Sequence, residues 1–262
     1  MKKKSLAFIS SLATGYIFLV LGLYVLQDKI IFQGTDLSED YEFKFEQPFV
    51  ELEIKSSTEL FINTLIFSPT TSENKGTILY FHGNADNMQR WGAYAVDFTK
   101  RGYQVIMIDY SGFGKSEGSA TEEQLYQNAE DVWSWAQHHL KTKNFIIYGR
   151  SLGTGVAAHL ASNHKASQLI LETPFYELAQ ERYRIFFPLG LNSEFPTYKY
   201  LPQIDYPIRI IQGTDDWIVP LSSAQKLKPL LKPSDQFFVI EKGGHKNLRS
   251  FEEYHQILEE IL

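Results

Sequence analysis

The pentapeptide Gly149-Arg150-Ser151-Leu152-Gly153 places a serine between two glycines directly after the apolar run Phe145-Ile146-Ile147-Tyr148. At a strand-to-helix junction such a turn exposes the hydroxyl, and the glycines relieve backbone crowding. A serine hydroxyl is a poor nucleophile near neutral pH, so acyl chemistry requires an imidazole within hydrogen-bond reach. Of the seven histidines, His245 suits that task best, because it follows a strand-like run through Glu241-Lys242-Gly243-Gly244 and can lean over a neighbouring strand end. His138 and His139 close a predicted helix, His159 and His164 lie on or just after the helix behind Ser151, and His255 falls in the last amphipathic segment. A carboxylate to orient the imidazole is available in Gly213-Thr214-Asp215-Asp216, where either aspartate could serve. Charge developing on a carbonyl oxygen needs fixed N–H donors. The backbone amides of Leu152 and of Asn84, the latter in Phe81-His82-Gly83-Asn84, are placed to supply them. Gly83 allows close backbone approach, while His82 comes too early in the chain to be the base and is assigned to bracing its loop.

Groups this far apart along the chain meet only if strands deliver them to one edge. After Gly76 six short apolar runs recur, Thr77-Ile78-Leu79-Tyr80-Phe81, Gln104-Val105-Ile106-Met107-Ile108, Phe145-Ile146-Ile147-Tyr148, Gln168-Leu169-Ile170-Leu171, Ile208-Arg209-Ile210-Ile211 and Phe237-Phe238-Val239-Ile240. Amphipathic segments at residues 88–101, 121–139, 152–163, 221–231 and 250–262 separate or follow them and read as helices. Continuous apolar strands alternating with helices indicate a parallel sheet covered on both faces. Ligands bind such sheets beyond the carboxyl ends of the strands, where the candidate residues lie. Residues 49–54 and 59–68 alternate in polarity, as half-solvated antiparallel strands do, and predict a leading hairpin. The fold class is therefore α/β, a mostly parallel, doubly wound sheet with a leading antiparallel hairpin. From about residue 175 to 207 the alternation lapses around the apolar stretch 185–191, and this interval is expected to form a small cap over the cleft.

Lys2, Lys3 and Lys4 precede an uncharged run whose apolar heart, residues 6–26, spans about 32 Å as a helix, the thickness of a bilayer core. The segment after it carries Asp28, Asp36, Glu39 and Asp40 against Lys29, so the positive-inside rule places the amino terminus in the cytoplasm and the rest outside. A cleaved signal peptide is the rival, but Tyr24-Val25-Leu26-Gln27-Asp28 puts bulky residues where a signal peptidase needs small ones. The expected organisation is a membrane anchor at residues 1–30, single-pass with the remainder extracytoplasmic, and one domain at residues 31–262.

Composition removes several alternatives. No cysteine is present, which excludes disulfides, thiolate metal sites and a cysteine nucleophile. With 25 basic and 31 acidic residues the formal charge is −6, and no stretch gathers Lys and Arg into a phosphate-binding face, so a nucleic-acid partner is not expected. Gly112-Phe113-Gly114-Lys115-Ser116 ends like a phosphate-binding loop, but the required first glycine falls at Asp109, and the dinucleotide pattern fails at Glu117. No histidine or carboxylate spacing suits a metal. Neither a cofactor nor a metal is expected.

These segments together resemble the α/β-hydrolase superfamily, in particular its membrane-anchored, serine aminopeptidase-like subgroup with an HGNA motif. The resemblance covers about residues 30–262 and rests on His82-Gly83-Asn84-Ala85, residues 109–116, Gly149-Arg150-Ser151-Leu152-Gly153, Gly213-Thr214-Asp215-Asp216 and Gly244-His245, in family order. It implies the α/β-hydrolase fold with Ser151, Asp216 and His245 as nucleophile, acid and base, and Asn84 and Leu152 as the oxyanion hole. It also resolves the choice between the aspartates toward Asp216 and makes Asp109 structural. Ser111 departs from the family, where arginine is usual. The expected activity is a serine hydrolase acting on carboxylic ester or thioester bonds of a small-molecule or lipid-like acyl substrate. A peptidase of the aminopeptidase type and a non-catalytic membrane-anchored binding protein are the alternatives.

Overall fold

The computed structural model describes residues 2–142, 144–178 and 191–262. A long helix, α1 (Lys2–Ile31), leads into a two-residue strand, β1 (Gln33–Gly34). The hairpin β2 (Phe49–Lys55) and β3 (Phe61–Phe67) follows, and then β4 (Gly76–Phe81) and the two-residue β5 (Ala85–Asp86). Two short helices, α2 (Met88–Trp91) and α3 (Val96–Thr99), precede β6 (Tyr103–Ile108), α4 (Glu122–His139), β7 (Phe145–Arg150), α5 (Leu152–Asn163) and β8 (Gln168–Glu172). Beyond them come α6 (Thr197–Tyr200), β9 (Ile208–Gly213), α7 (Leu221–Gln225), β10 (Gln236–Ile240) and α8 (Glu252–Ile261). Eight strands form one sheet in the order β10-β9-β8-β7-β4-β6-β3-β2, parallel except for β2 against β3 and β3 against β6.

The apolar runs of the parallel strands feed two cores, because alternate side chains point to opposite faces. Leu79, Ile106, Ile147 and Leu169 pack with residues of α4 and α5 on one side. Ile78, Val105, Ile146 and Ile170 pack with Phe98, Tyr254 and Leu258 on the other. Thr121 caps α4 by accepting the Gln124 amide at 3.1 Å, as its sequence position suggests.

Three expectations are adjusted. The helix expected over residues 88–101 is two short pieces joined by a 3-10 turn that begins at Gly92, a weak helix former. The helix expected over 221–231 stops at Gln225 and gives way to a 3-10 turn at Lys228–Leu230, since Pro229 can neither donate to the ladder nor fit an α-helical interior. The apolar stretch 185–191 lies, apart from Leu191, outside the described residues. The rest of the expected cap is partly seen: Phe195 is buried in the core, and Tyr176 stacks on Tyr198 at 4.5 Å.

Helix α1 differs in character from the others. Residues Ser11–Ile31 are long and apolar enough to cross a membrane. Leu12, Tyr16, Ile17, Phe18, Leu19 and Val25 are among the large apolar side chains this helix leaves exposed. Its carboxyl end, by contrast, is built into the domain. Gln27 and Ile31 are fully buried, the Gln27 side chain accepts the Asn192 amide at 2.6 Å, and Phe32 packs edge-on against Phe195. Strand β1, which no periodicity announces, pairs in parallel with β5 in the register Gln33 to Ala85 and Gly34 to Asp86.

Candidate active site

Ser151 sits between β7 and α5 with φ 50° and ψ −117°, a backbone conformation that L-residues rarely adopt and that costs on the order of 1–3 kcal/mol. The flanking glycines are sites of close approach. A Cβ on Gly153 would lie 2.0 Å from the Phe81 carbonyl oxygen, and one on Gly149 would lie 2.3 Å from the Gly153 carbonyl oxygen. Any side chain at either position would push α5 away from β4 and β7 and flatten the turn that raises the hydroxyl.

The structure brings the three predicted polar groups together. The Ser151 hydroxyl lies 2.9 Å from His245 Nε2, and His245 Nδ1 lies 2.8 Å from Asp216 Oδ2. With Nδ1–H donating to the carboxylate, Nε2 is left to accept the serine proton. Asp216 is held from several sides: Oδ1 accepts the Ile218 and Val219 amides at 2.9 and 2.8 Å, and Gln212 donates to Oδ2 at 3.3 Å. Asp215 points away, is exposed, and accepts the Thr214 hydroxyl at 3.0 Å. The His245 loop is pinned to β9, where the Asp215 amide donates to Gly243 O at 2.8 Å and a Cβ on Gly213 would lie 2.1 Å from that same oxygen.

Asn84 and Leu152 line a cleft of about 250 Å³ that also contains Ser151 and His245. Leu152 opens α5, so its N–H is one of those that a first helical turn leaves without an intrahelical acceptor. The Asn84 side chain accepts the Gln33 amide at 3.2 Å and donates to Ile31 O at 2.5 Å, which fixes its loop to the end of α1. His82 is fully buried, lies 3.5 Å from Asp109, stacks on Trp91 and does not belong to the cleft lining, which suits it to bracing. Burial raises the pKa of Asp109, a rise that His82 opposes, and Asp109 Oδ1 accepts the Met88 amide at 2.8 Å. Ser111, the departure from the family pattern, is buried with its N–H bonded to Asn128 at 2.8 Å and does not reach the cleft lining. The other walls are Trp91, Phe175, Leu178, Trp217, Ile218 and Val219, with Arg90, Arg150 and Lys246 as cations, and no carboxylate belongs to the described lining. Among the described residues no cluster suited to a metal ion occurs.

Sequence reasoning passed over Arg150 and Glu172. They are register partners at the ends of β7 and β8 and form an ion pair at 3.2 Å with both side chains buried, although the alignment falls short of a hydrogen bond. Burial works against the Arg150 charge, but Glu172 beside it, with the Tyr80 and Tyr94 hydroxyls, raises its pKa. Glu172 Oε2 accepts the Tyr148 hydroxyl at 2.5 Å, and the guanidinium lies over the Tyr94 and Trp91 rings at 4.6 and 5.3 Å. Arg150 Nη2 also donates to the backbone carbonyl of His245 at 2.8 Å. One buried cation thus links the serine turn to the histidine loop. A charged residue at the carboxyl end of each of two adjacent core strands was the available signal.

A family model described as serine aminopeptidase, S33, matches residues 72–199, just under half of the chain, including Ser151 and Asn84 but neither Asp216 nor His245. Alpha/beta hydrolase domain-containing protein 17B of Homo sapiens is 27% identical over 195 residues, covering 72% of this chain and 66% of that protein. Protein 17C of Xenopus tropicalis is 26% identical over 197 residues, covering 71% and 61%. The alignments thus span 61 to 66% of these relatives' length. An esterase from Pyrococcus furiosus superposes with a TM-score of 0.71 over 88% of this chain and 96% of its own, at 18% identity. The chain has the α/β-hydrolase fold, and these likenesses support its place in the α/β-hydrolase superfamily. An α/β serine hydrolase homologue from Coxiella burnetii gives a TM-score of 0.67 at 20% identity, covering 85% of this chain and all of its own. At those identities the two structures establish the fold of this α/β-hydrolase.

Proposed function

We propose that this α/β-hydrolase is a serine hydrolase that cleaves carboxylic ester or thioester bonds through an acyl-enzyme. The observation that carries this reading is the continuous hydrogen-bonded series from Ser151 through His245 to Asp216 beside a cleft walled in part by Trp91, Phe175, Leu178 and Trp217. As Ser151 Oγ attacks the acyl carbon, its proton passes to His245 Nε2, and Asp216 stabilises the imidazolium that forms. Negative charge gathers on the former carbonyl oxygen, for which the N–H groups of Leu152 and Asn84 are the donors. Collapse expels the alcohol or thiol, protonated by His245. Water then attacks the acyl-serine with the same imidazole as base, and releases the acid and free Ser151.

The family description favours a second reading, an aminopeptidase-type enzyme. Holding a substrate's terminal ammonium calls for a carboxylate, and the described cleft lining offers Arg90, Arg150 and Lys246 instead, which supports the ester or thioester reading. The amino-terminal helix is proposed as a single-pass anchor with its lysine-rich start in the cytoplasm.

A fluorophosphonate probe should label the wild-type chain and leave Ser151→Ala unlabelled. Asp216→Asn should lower kcat on p-nitrophenyl acetate by about 10⁴-fold, the scale seen where a triad carboxylate is neutralised, whereas Asp215→Asn should stay close to wild type. Equal labelling of wild type and Ser151→Ala, or equal effects of the two asparagine variants, would overturn the assignment.

A further inference from the structure

The end of the apolar helix is also part of the cleft. Ile31, the last residue of the stretch able to cross a membrane, gives its carbonyl oxygen to Asn84 Nδ2 at 2.5 Å. Gln33, two residues on, returns its N–H to Asn84 Oδ1 at 3.2 Å and itself lines the cleft. The parallel pairing of Gln33–Gly34 with Ala85–Asp86 closes the junction, and the burial of Gln27, Ile31 and Phe32 anchors it from below. No flexible spacer separates helix from domain. Since a helix rises about 1.5 Å per residue, the proposed oxyanion loop lies within about 10 Å of the exposed apolar surface that ends at Leu26 and Ile30. On the cleft wall Trp217 is 77% exposed, a large aromatic side chain that the fold leaves uncovered next to Asp216. Lys246 and Arg90, the latter paired with Asp86, supply positive charge at the same opening. Indole rings and cations flanking an apolar segment are the side chains that favour the headgroup layer of a bilayer.

We propose that this junction seats the cleft at the bilayer surface, so that the enzyme draws acyl substrates from the membrane interface rather than from bulk water. The substrates are amphiphiles whose acyl chain lies in the bilayer and whose ester or thioester sits at headgroup depth. This choice of substrate rests on the serine hydrolase reading, whereas the seating of the cleft does not. A consequence is that a fragment beginning at Gln33 would lose Ile31 and Phe32 from the core and the Ile31 carbonyl from the Asn84 loop.

The absence of cysteine from these 262 residues allows a direct test with the whole chain in vesicles containing phosphatidylcholine and phosphatidylglycerol. Trp217→Cys and Val50→Cys each receive a nitroxide. Val50 is exposed on β2, at the end of the sheet remote from the serine turn. The label at 217 should be shielded from a water-soluble nickel chelate relative to the label at 50. Equal accessibility overturns the proposal. In a second arm, ten Gly/Ser residues are inserted between Leu26 and Gln27, which leaves the junction intact but lets the domain drift by about 17 Å. Hydrolysis of a long-chain ester embedded in the vesicles should fall about tenfold as effective concentration drops, with the rate on soluble p-nitrophenyl acetate unchanged. Unchanged rates on both substrates would refute the seating. Failure of the parent reading would show separately, as wild type no faster than Ser151→Ala on the soluble ester whatever the label reports.

Discussion

Removing the Arg150 charge separates what the buried ion pair does for folding from what it does for the site. In Arg150→Met the Glu172 carboxylate loses the cation 3.2 Å away while its side chain remains buried. Breaking a buried pair from one side costs about 3–5 kcal/mol, a large part of the 5–15 kcal/mol that holds a domain folded. The Tyr148 hydroxyl at 2.5 Å recovers only part of this. In Arg150→Met/Glu172→Gln no uncompensated charge remains, the amide oxygen still accepts from Tyr148, and stability should return to within about 1–2 kcal/mol of wild type. Activity should not return with it. Both variants lack the donor to the His245 carbonyl at 2.8 Å. A hydrogen bond from a charged group contributes about 1.5–3 kcal/mol, so its loss predicts a fall of about 10- to 100-fold in kcat if it is spent on placing the imidazole. Because the imidazole acts on the reacting atoms, kcat should drop more than KM rises. Urea melts followed by circular dichroism give the first quantity and p-nitrophenyl acetate kinetics the second. A double variant that regains rate along with stability would show that Arg150 acts only through folding. A single variant less than about 1 kcal/mol destabilised would refute the buried-charge argument itself.

Ser151→Gly should be more stable than Ser151→Ala by about 1–2 kcal/mol, since glycine relieves the strain at φ 50° and alanine retains it, a difference of about 2–4 °C per kcal/mol in thermal melts of a chain this size. Identical melting of the two would show that the turn is unstrained. His159 stacks on Tyr126 at 3.9 Å, and burial lowers its pKa, with Glu130 opposing and His164 reinforcing the shift. The unfolded chain therefore binds the proton more readily. Stability linked to this residue is intact above the ordinary histidine pKa of about 6.5 and is lost as pH falls below it. Urea melts near pH 8 and pH 5 should show a smaller acid loss for His159→Gln than for wild type, and equal losses would exclude His159 as a contributor.

The parallel strands were legible because each is a short apolar run that feeds both cores, and the serine turn because glycine is the only residue that fits against Phe81 and Ala157. His245 could be singled out because only it follows a strand through glycines. The choice between Asp215 and Asp216 was not available from spacing. It depends on which carboxyl turns inward to the Ile218 and Val219 amides, a matter of one residue's backbone direction, and the family resemblance supplied it. Arg150 and Glu172 were missed because a charge within an apolar run gives no sign of its partner until strand register places β7 against β8. The junction of α1 with the Asn84 loop was invisible for a similar reason. Two-residue strands carry no periodicity, and the pairing joins positions about fifty residues apart.

The position of β8 in the sheet gives its outgoing connection a particular freedom. It lies between the strand that presents Ser151 and the strand that leads to Asp216, so the polypeptide leaving Glu172 emerges in the gap between nucleophile and acid. Phe175 and Leu178, the first wall residues it contributes, stand over the cleft without belonging to either hydrogen-bonded group. Lengthening a connection costs little, about 0.6 kcal/mol for each doubling. Descendants of this chain can therefore resize or reline the roof of the cleft in one stretch of sequence while β7, β9 and β10 keep the reacting atoms in register, so selectivity can diverge without the chemistry being rebuilt.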